Sequence, residues 1–231
     1  MAAELRALLC DAVGTLIRTR EPPAFTYCRF AAAHGIACET TVVEARLREA
    51  LATLRPPSGG ALATFSARER EDWRGVVRTS LGRAAAEGPC FDALFAFYAT
   101  ATAWETLPGV QAALEAARAR GLRTAVASNM DHRLPHVLAD LGLAPHFDAV
   151  VIPSSCGHAK PDARFFHAAC ERLEVAPSAS LYVGDREQDC VAAARAAGLT
   201  AVRYDPSGSE PEIVRGWDAL KRGWLRETRD R

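Results

Sequence analysis

Residues 5–16 read Leu5-Arg6-Ala7-Leu8-Leu9-Cys10-Asp11-Ala12-Val13-Gly14-Thr15-Leu16, and this stretch decides the fold. The apolar run through Cys10 suits a strand buried on both faces; Asp11 ends it, and Gly14-Thr15 make a turn. Downstream, strand and helix patterns alternate at short spacing. A helix is expected over Pro108–Arg120, with proline at its start and Gly121 just past its end. A strand over Leu122–Ala127 and a helix over Asp131–Leu141 follow, the helix stopped by Gly142. Asp148–Ile152 reads as a strand, Asp162–Leu173 as a helix capped by Asp162, and Leu181–Val183 as a strand. A helix over Glu187–Ala197, stopped by Gly198, and a strand over Thr200–Arg203 complete the series. Such alternation predicts an α/β protein, a Rossmann-like parallel sheet core covered on both faces.

Between Leu16 and Leu107 the alternation lapses. Helical periodicity appears over Ala24–His34, Val42–Leu54, Ala67–Leu81 and Phe91–Thr102, with Pro56-Pro57-Ser58-Gly59-Gly60 as a loop. The core pattern resumes at Pro108, so we read an inserted all-helical unit: core from 1–16 and 106–210, insert from 17–105, tail helix from 211–231. Phe25, Tyr27 and Phe30 are expected to serve the insert's own core or its seam. The tail, Arg215–Arg231, holds six basic and three acidic residues, with Trp217, Leu220 and Trp224 on one helical face. That face either docks on the core or leaves room for a homodimer.

Composition excludes several classes. Lys+Arg and Asp+Glu balance at 28 each, so no whole-chain field attracts nucleic acid. No apolar run approaches the ~18–20 residues of a membrane span, and the first residues lack the order of a signal peptide. The seven cysteines are scattered, odd in number and without a CxxC pair, which fits reduced thiols in a cytoplasmic protein. Neither a Walker loop nor GxGxxG occurs.

In open α/β sheets, ligands bind at the carboxyl ends of the strands. Asp11 follows the first expected strand and Ser128-Asn129 the second. Lys160, one of two lysines in the chain, lies after the third, and Asp185 follows the fourth in Gly184-Asp185-Arg186-Glu187-Gln188-Asp189. Singly these are ordinary cap and loop residues; in order, at matching strand ends, they form a constellation. The set resembles the phosphate site of the haloacid dehalogenase superfamily, which implies a carboxylate that attacks an anionic phosphorus and needs nearby positive charge. Asp11 and Asp185 can share Mg²⁺, a hard cation that favours oxygen ligands. Lys160 and Ser128 can hold the remaining phosphate oxygens. Amides around Gly14 and Thr15 can donate to the phosphate as well.

These stretches resemble the four motifs of the haloacid dehalogenase superfamily: Asp11-Ala12-Val13-Gly14-Thr15-Leu16, Ser128-Asn129, Lys160-Pro161-Asp162, and Gly184-Asp185 through Asp189. The resemblance covers nearly the whole chain, and Ser128-Asn129-Met130-Asp131 with 11–17 points to its REG-2-like subgroup with a helical C1-type cap. It implies a Mg²⁺-dependent hydrolase acting on a small phosphorylated molecule. Asp11 would form a transient aspartyl-phosphate, with Ser128 and Lys160 catalytic. Gly14, Thr15, Asn129 and Arg18 would contact substrate. Asp11, Asp185 and the Val13 carbonyl would bind the metal, with Asp189 supporting its ligands from behind.

One position departs from the pattern. Phosphatases of this superfamily carry a second Asp two residues after the nucleophile, as general acid and base; here it is Val13. The chain is then a hydrolase of activated phosphates, or it recruits another acid, the candidates being Glu21, His34, Asp131 and His132. Dehalogenases of the superfamily also lack the second Asp, but their fourth motif lacks the acid at Asp185. Phosphonate hydrolases need a cap lysine, and no lysine precedes Lys160. A silent metal- and phosphate-binding scaffold is the reading from another class.

Overall fold

The computed structural model describes residues 4–54, 65–208 and 213–224. Along the chain run β1 (Ala7–Cys10), β2 (Ile17–Thr19), α1 (Pro23–Ala33), α2 (Thr40–Thr53), α3 (Phe65–Leu81), α4 (Arg83–Glu87), α5 (Pro89–Phe97) and β3 (Trp104–Thr106). Then come α6 (Val110–Ala119), β4 (Arg123–Ala127), α7 (Leu134–Asp140), β5 (Ala149–Val151), α8 (Pro153–Cys156) and α9 (Ala163–Leu173). The last are β6 (Ser180–Gly184), a π-helical turn over Glu187–Ala192, α10 (Ala193–Ala196), β7 (Thr200–Tyr204), β8 (Ile213–Val214) and α11 (Trp217–Gly223).

Six strands form one parallel sheet in the order β5-β4-β1-β6-β7-β8. The expected α/β Rossmann-like core is therefore present. Side chains alternate along β1: Leu8 and Cys10 enter one apolar layer with Leu114, Val126 and Val183, while Ala7 and Leu9 enter the other with Phe165 and Phe166. Both layers exclude water, which explains why β1 reads as an unbroken apolar run. Register places the site: Cys10 lies opposite both Val126 and Val183, so the residues just beyond β1, β4 and β6 emerge side by side.

β2 and β3 pair antiparallel, Ile17 opposite Thr106, and frame the helices α1–α5. Those helices share an apolar cluster of their own, including Tyr27, Leu47, Val76, Phe91 and Leu94. Several elements differ from expectation. The helix expected to reach Thr102 stops at Phe97, and that expected from Asp131 begins at Leu134, because the Asp131 carboxylate accepts the Arg133 amide at 3.0 Å. The helix expected over Glu187–Ala197 opens as a π turn. Pro56–Gly60 falls outside the described residues.

At the other end, β8 extends the sheet edge and α11 packs on α6. Trp217 and Leu220 are fully buried, and the Trp217 indole donates to the Thr15 carbonyl at 2.9 Å. The aromatic face of the tail thus docks on the core of its own chain, with Trp224 left half-exposed. Among the described residues no helix is long and apolar enough to cross a membrane.

Candidate active site

Asp11 stands at the end of the central strand, buried, its carboxylate fixed by the Ala12 amide (2.8 Å to Oδ1). The loop behind it closes on itself: the Gly14, Thr15 and Ile17 amides donate to the carbonyls of Ile17, Ala12 and Ala12. The amides of Gly14 and Thr15, expected to serve a phosphate, are thus engaged within the loop. Gly14 contributes something else. Its φ is +86°, and a Cβ there would lie 2.3 Å from Asp185 Oδ2, so only glycine lets this carboxylate come so near. The Thr15 hydroxyl is buried without a partner.

Lys160 reaches Asp11 from the loop before α9. Its Nζ donates to Asp11 Oδ1 (2.9 Å), the Tyr182 hydroxyl (3.0 Å) and Cys190 Sγ (3.3 Å). Burial drives an ammonium toward neutrality, but the charge of Asp11 and the contact with Cys190 outweigh it and raise the Lys160 pKa. Asn129 secures the loop: its amide nitrogen donates to the Lys160 carbonyl (2.9 Å), and its oxygen accepts the Lys160 amide (2.8 Å). The Asn129 amide is therefore occupied in positioning Lys160. Ser128 is buried beside it, its Oγ accepting the Met130 amide at 3.3 Å.

Asp11, Asp185 and Cys190 offer ligand atoms within 4.8 Å of one another. Asp185 Oδ1 is buried with no hydrogen-bond partner. Burial, and then the charge of Asp11, push its carboxyl up to about 6. A carboxylate that is desolvated, unpaired and beside another anion is incomplete without a cation, so these residues fit Mg²⁺. The Cys190 thiol, pushed up to about 11 mainly by burial, stays neutral and donates weakly to Asp11 Oδ2 at 3.6 Å. Asp189, which the resemblance gives the role of supporting the metal, pairs with Arg186 at a more exposed position. Within the turn that starts at Glu187 it is the next residue, Cys190, that faces the carboxylates. Composition gave no sign of Cys190 or Tyr182: both are apolar-looking residues of buried segments.

A cavity of about 390 Å³ lies between the α1–α5 unit and the strand ends, with Val13, Asn129 and Arg186 among its lining. None of the four candidates for a replacement acid lines it. Glu21 holds Thr26 and Arg29, and His34 bonds the Phe30 carbonyl. His132 takes Glu69 at 2.6 Å. Asp131 is buried and bonded by Arg133 (2.6 and 2.8 Å) and by the Trp73 indole (2.6 Å). Burial opposes its charge, but Arg133 prevails and holds its carboxyl below the usual range, which suits an ion-pair anchor and not a proton donor. Asp131→Ala is expected to destabilise the fold by about 3–5 kcal/mol, because the buried Arg133 loses its counter-ion. Urea unfolding measures this. Arg18 also lies aside from the cavity lining, paired across the ribbon with Glu105 at 2.6 Å.

Comparison with known proteins agrees with the fold and the order of the motifs. Residues 5–198 match the family model described as haloacid dehalogenase-like hydrolase. The chain is 31% identical over 213 residues to haloacid dehalogenase-like hydrolase domain-containing protein 3 of Bos taurus, covering 90% of this chain and 84% of that one. It is 38% identical over 133 residues to a phosphoserine phosphatase of Thermus thermophilus, covering 57% of this chain and 53% of that one. In structure it is similar to a dehalogenase crystallised with an intermediate complex, with a TM-score of 0.71 and 21% identity, covering 98% of this chain and 100% of that one. From fold, motif order and the matched length together, the chain belongs to the haloacid dehalogenase-like hydrolases.

Proposed function

We propose that this hydrolase is a Mg²⁺-dependent phosphohydrolase that works through an aspartyl-phosphate on Asp11 and is restricted to good leaving groups. The observation that carries the reading is the pairing of Asp11 with Lys160 at 2.9 Å beside an Asp185 carboxylate whose buried oxygen has no partner. That arrangement supplies a nucleophile, a fixed cation and a seat for a mobile one. The relatives bearing phosphatase names support phosphoryl chemistry.

An oxygen of Asp11 attacks phosphorus as the bond to the leaving oxygen breaks, and the leaving group departs with the electron pair. Lys160 and the Ser128 hydroxyl hold the non-bridging oxygens. Mg²⁺, held by Asp11, Asp185 and the Val13 carbonyl, would neutralise phosphate charge and orient the group. Water then displaces phosphate and restores the Asp11 carboxylate. Val13 moves no proton, and among the described residues lining the cavity there is no carboxylate or imidazole, so the leaving group departs as a stable anion. Residues 17–105 act as a cap over a core from 1–16 and 106–210, and a cytoplasmic setting suits the free cysteines.

Phosphate release from aryl, acyl and alkyl phosphates, with and without Mg²⁺, tests this. Aryl and acyl substrates are expected to turn over with Mg²⁺ and alkyl ones to lag, and Asp11→Asn should lose at least ~10³-fold. Turnover that is unchanged in Asp11→Asn would sink the proposal.

A further inference from the structure

The cavity next to Asp11 has a chemistry that selects among phosphate esters. Tyr27 of α1, Leu47 of α2, Trp73 of α3, Phe91 and Leu94 of α5 and Trp104 of β3 form its walls. Val13, 40% exposed, adds an isopropyl group to the lining from the loop that carries the nucleophile. Asp11, Ser128 and Asp185 are not themselves in the lining, but Val13, Asn129 and Arg186, each within two residues of one of them, are, so the cavity abuts the phosphate position and would take the part of the substrate beyond the ester oxygen.

Its charged groups are already matched, and the Tyr98 hydroxyl, buried in the lining without a partner, is uncharged. The Arg133 guanidinium is neutralised by Asp131 and also donates to the Phe95 carbonyl at 3.1 Å. Arg186, also in the lining, is paired with Asp189. Among the described lining residues no carboxylate is present, and neither arginine lacks a counter-ion. A leaving group with its own carboxylate would have to be desolvated against aromatic and aliphatic walls without a new partner. A flat apolar group would meet several rings suited to stacking and edge contacts. A volume of about 390 Å³ is within the range of small-molecule sites and larger than one ring requires.

The geometry points to an uncharged aromatic leaving group: the substrate is an aryl or aroyl phosphate whose ring system lies in this cavity. This rests on the phosphohydrolase reading above and names its substrate class. It also explains how Val13 is tolerated, since phenolates and aryl carboxylates leave without a proton.

Benzoyl phosphate and acetyl phosphate make the test, because they have similar leaving groups and differ by one ring. The wild type should favour benzoyl phosphate in kcat/KM by on the order of 10²-fold, the effect of burying one ring at ~25 cal/mol per Å². Phosphoserine and phosphoglycolate, with charged leaving groups, should be the poorest substrates. Leu51→Glu brings a carboxylate to the lining from a position already 42% exposed, where folding is least disturbed, and should collapse the benzoyl-to-acetyl ratio at least ~10-fold. Calorimetric titration with 2-naphthol gives a readout without turnover: one saturable site, weakened in Leu51→Glu. Equal use of both acyl phosphates, together with no saturable naphthol binding, overturns the inference and leaves the phosphohydrolase reading standing. Saturable naphthol binding without phosphate release from either substrate retains an aryl-binding cavity and removes the phosphohydrolase reading.

Discussion

Val13→Asp is expected to raise kcat/KM for alkyl phosphates by about 10²- to 10⁴-fold while changing that for aryl and acyl phosphates little, because kcat/KM ends at the transfer to Asp11 and leaves out the water step common to all substrates. An alkoxide is a poor leaving group and gains most from a proton delivered as the bond breaks; a phenolate or carboxylate needs none. The position suits the test, because Val13 is 40% exposed and lines the cavity, so a carboxylate there keeps contact with water. Rates plotted against leaving-group pKa should fall steeply for the wild type and flatten in the variant. An equal gain for every substrate, or no gain for alkyl esters, would show that Val13 does not set the leaving-group range.

Asp185→Asn is expected to stabilise the cation-free protein and at the same time remove its response to Mg²⁺. The folded protein holds the proton of Asp185 up to about pH 6, against a reference value of 3.8. Ionised Asp185 therefore costs the fold nothing below about pH 4, an increasing amount between pH 4 and 6, and the full amount above. The full shift corresponds to ~3 kcal/mol; with Asp185 only partly buried, about 1–2 kcal/mol is the expected gain for Asn at pH 7.5, vanishing near pH 4. Saturating Mg²⁺ binds the native state and should stabilise the wild type at pH 7.5 but not at pH 4, where the ligand is protonated. Thermal melts of both proteins with and without Mg²⁺ check this. An Asn variant that melts lower than wild type at pH 7.5, or keeps a Mg²⁺-dependent shift, contradicts the cation site.

Much of this architecture was legible because it depends on local pattern. The two-sided burial of β1 leaves a continuous apolar run, and glycines at 121, 142 and 198 mark three helix ends. Asp11, Lys160 and Asp185 stood out since each follows an apolar segment in a parallel sheet. The antiparallel ribbon did not, because strands of three residues carry no measurable alternation. Asp131 and His132 read as spare acids near Ser128, but their partners, Arg133, Trp73 and Glu69, lie partly in the helical unit about sixty residues away. Spacing cannot report such long-range pairing. The π turn after Asp185 likewise brings Cys190, the residue after Asp189, beside the two carboxylates, a placement that spacing does not report.

The most direct measurement is the mass of protein quenched in acid during turnover of an aryl phosphate with Mg²⁺. The account predicts one phosphoryl group on the peptide carrying Asp11, lost on standing without denaturant and absent from Asp11→Asn. Sustained phosphate release with no adduct on that peptide, or the same adduct in Asp11→Asn, would contradict it.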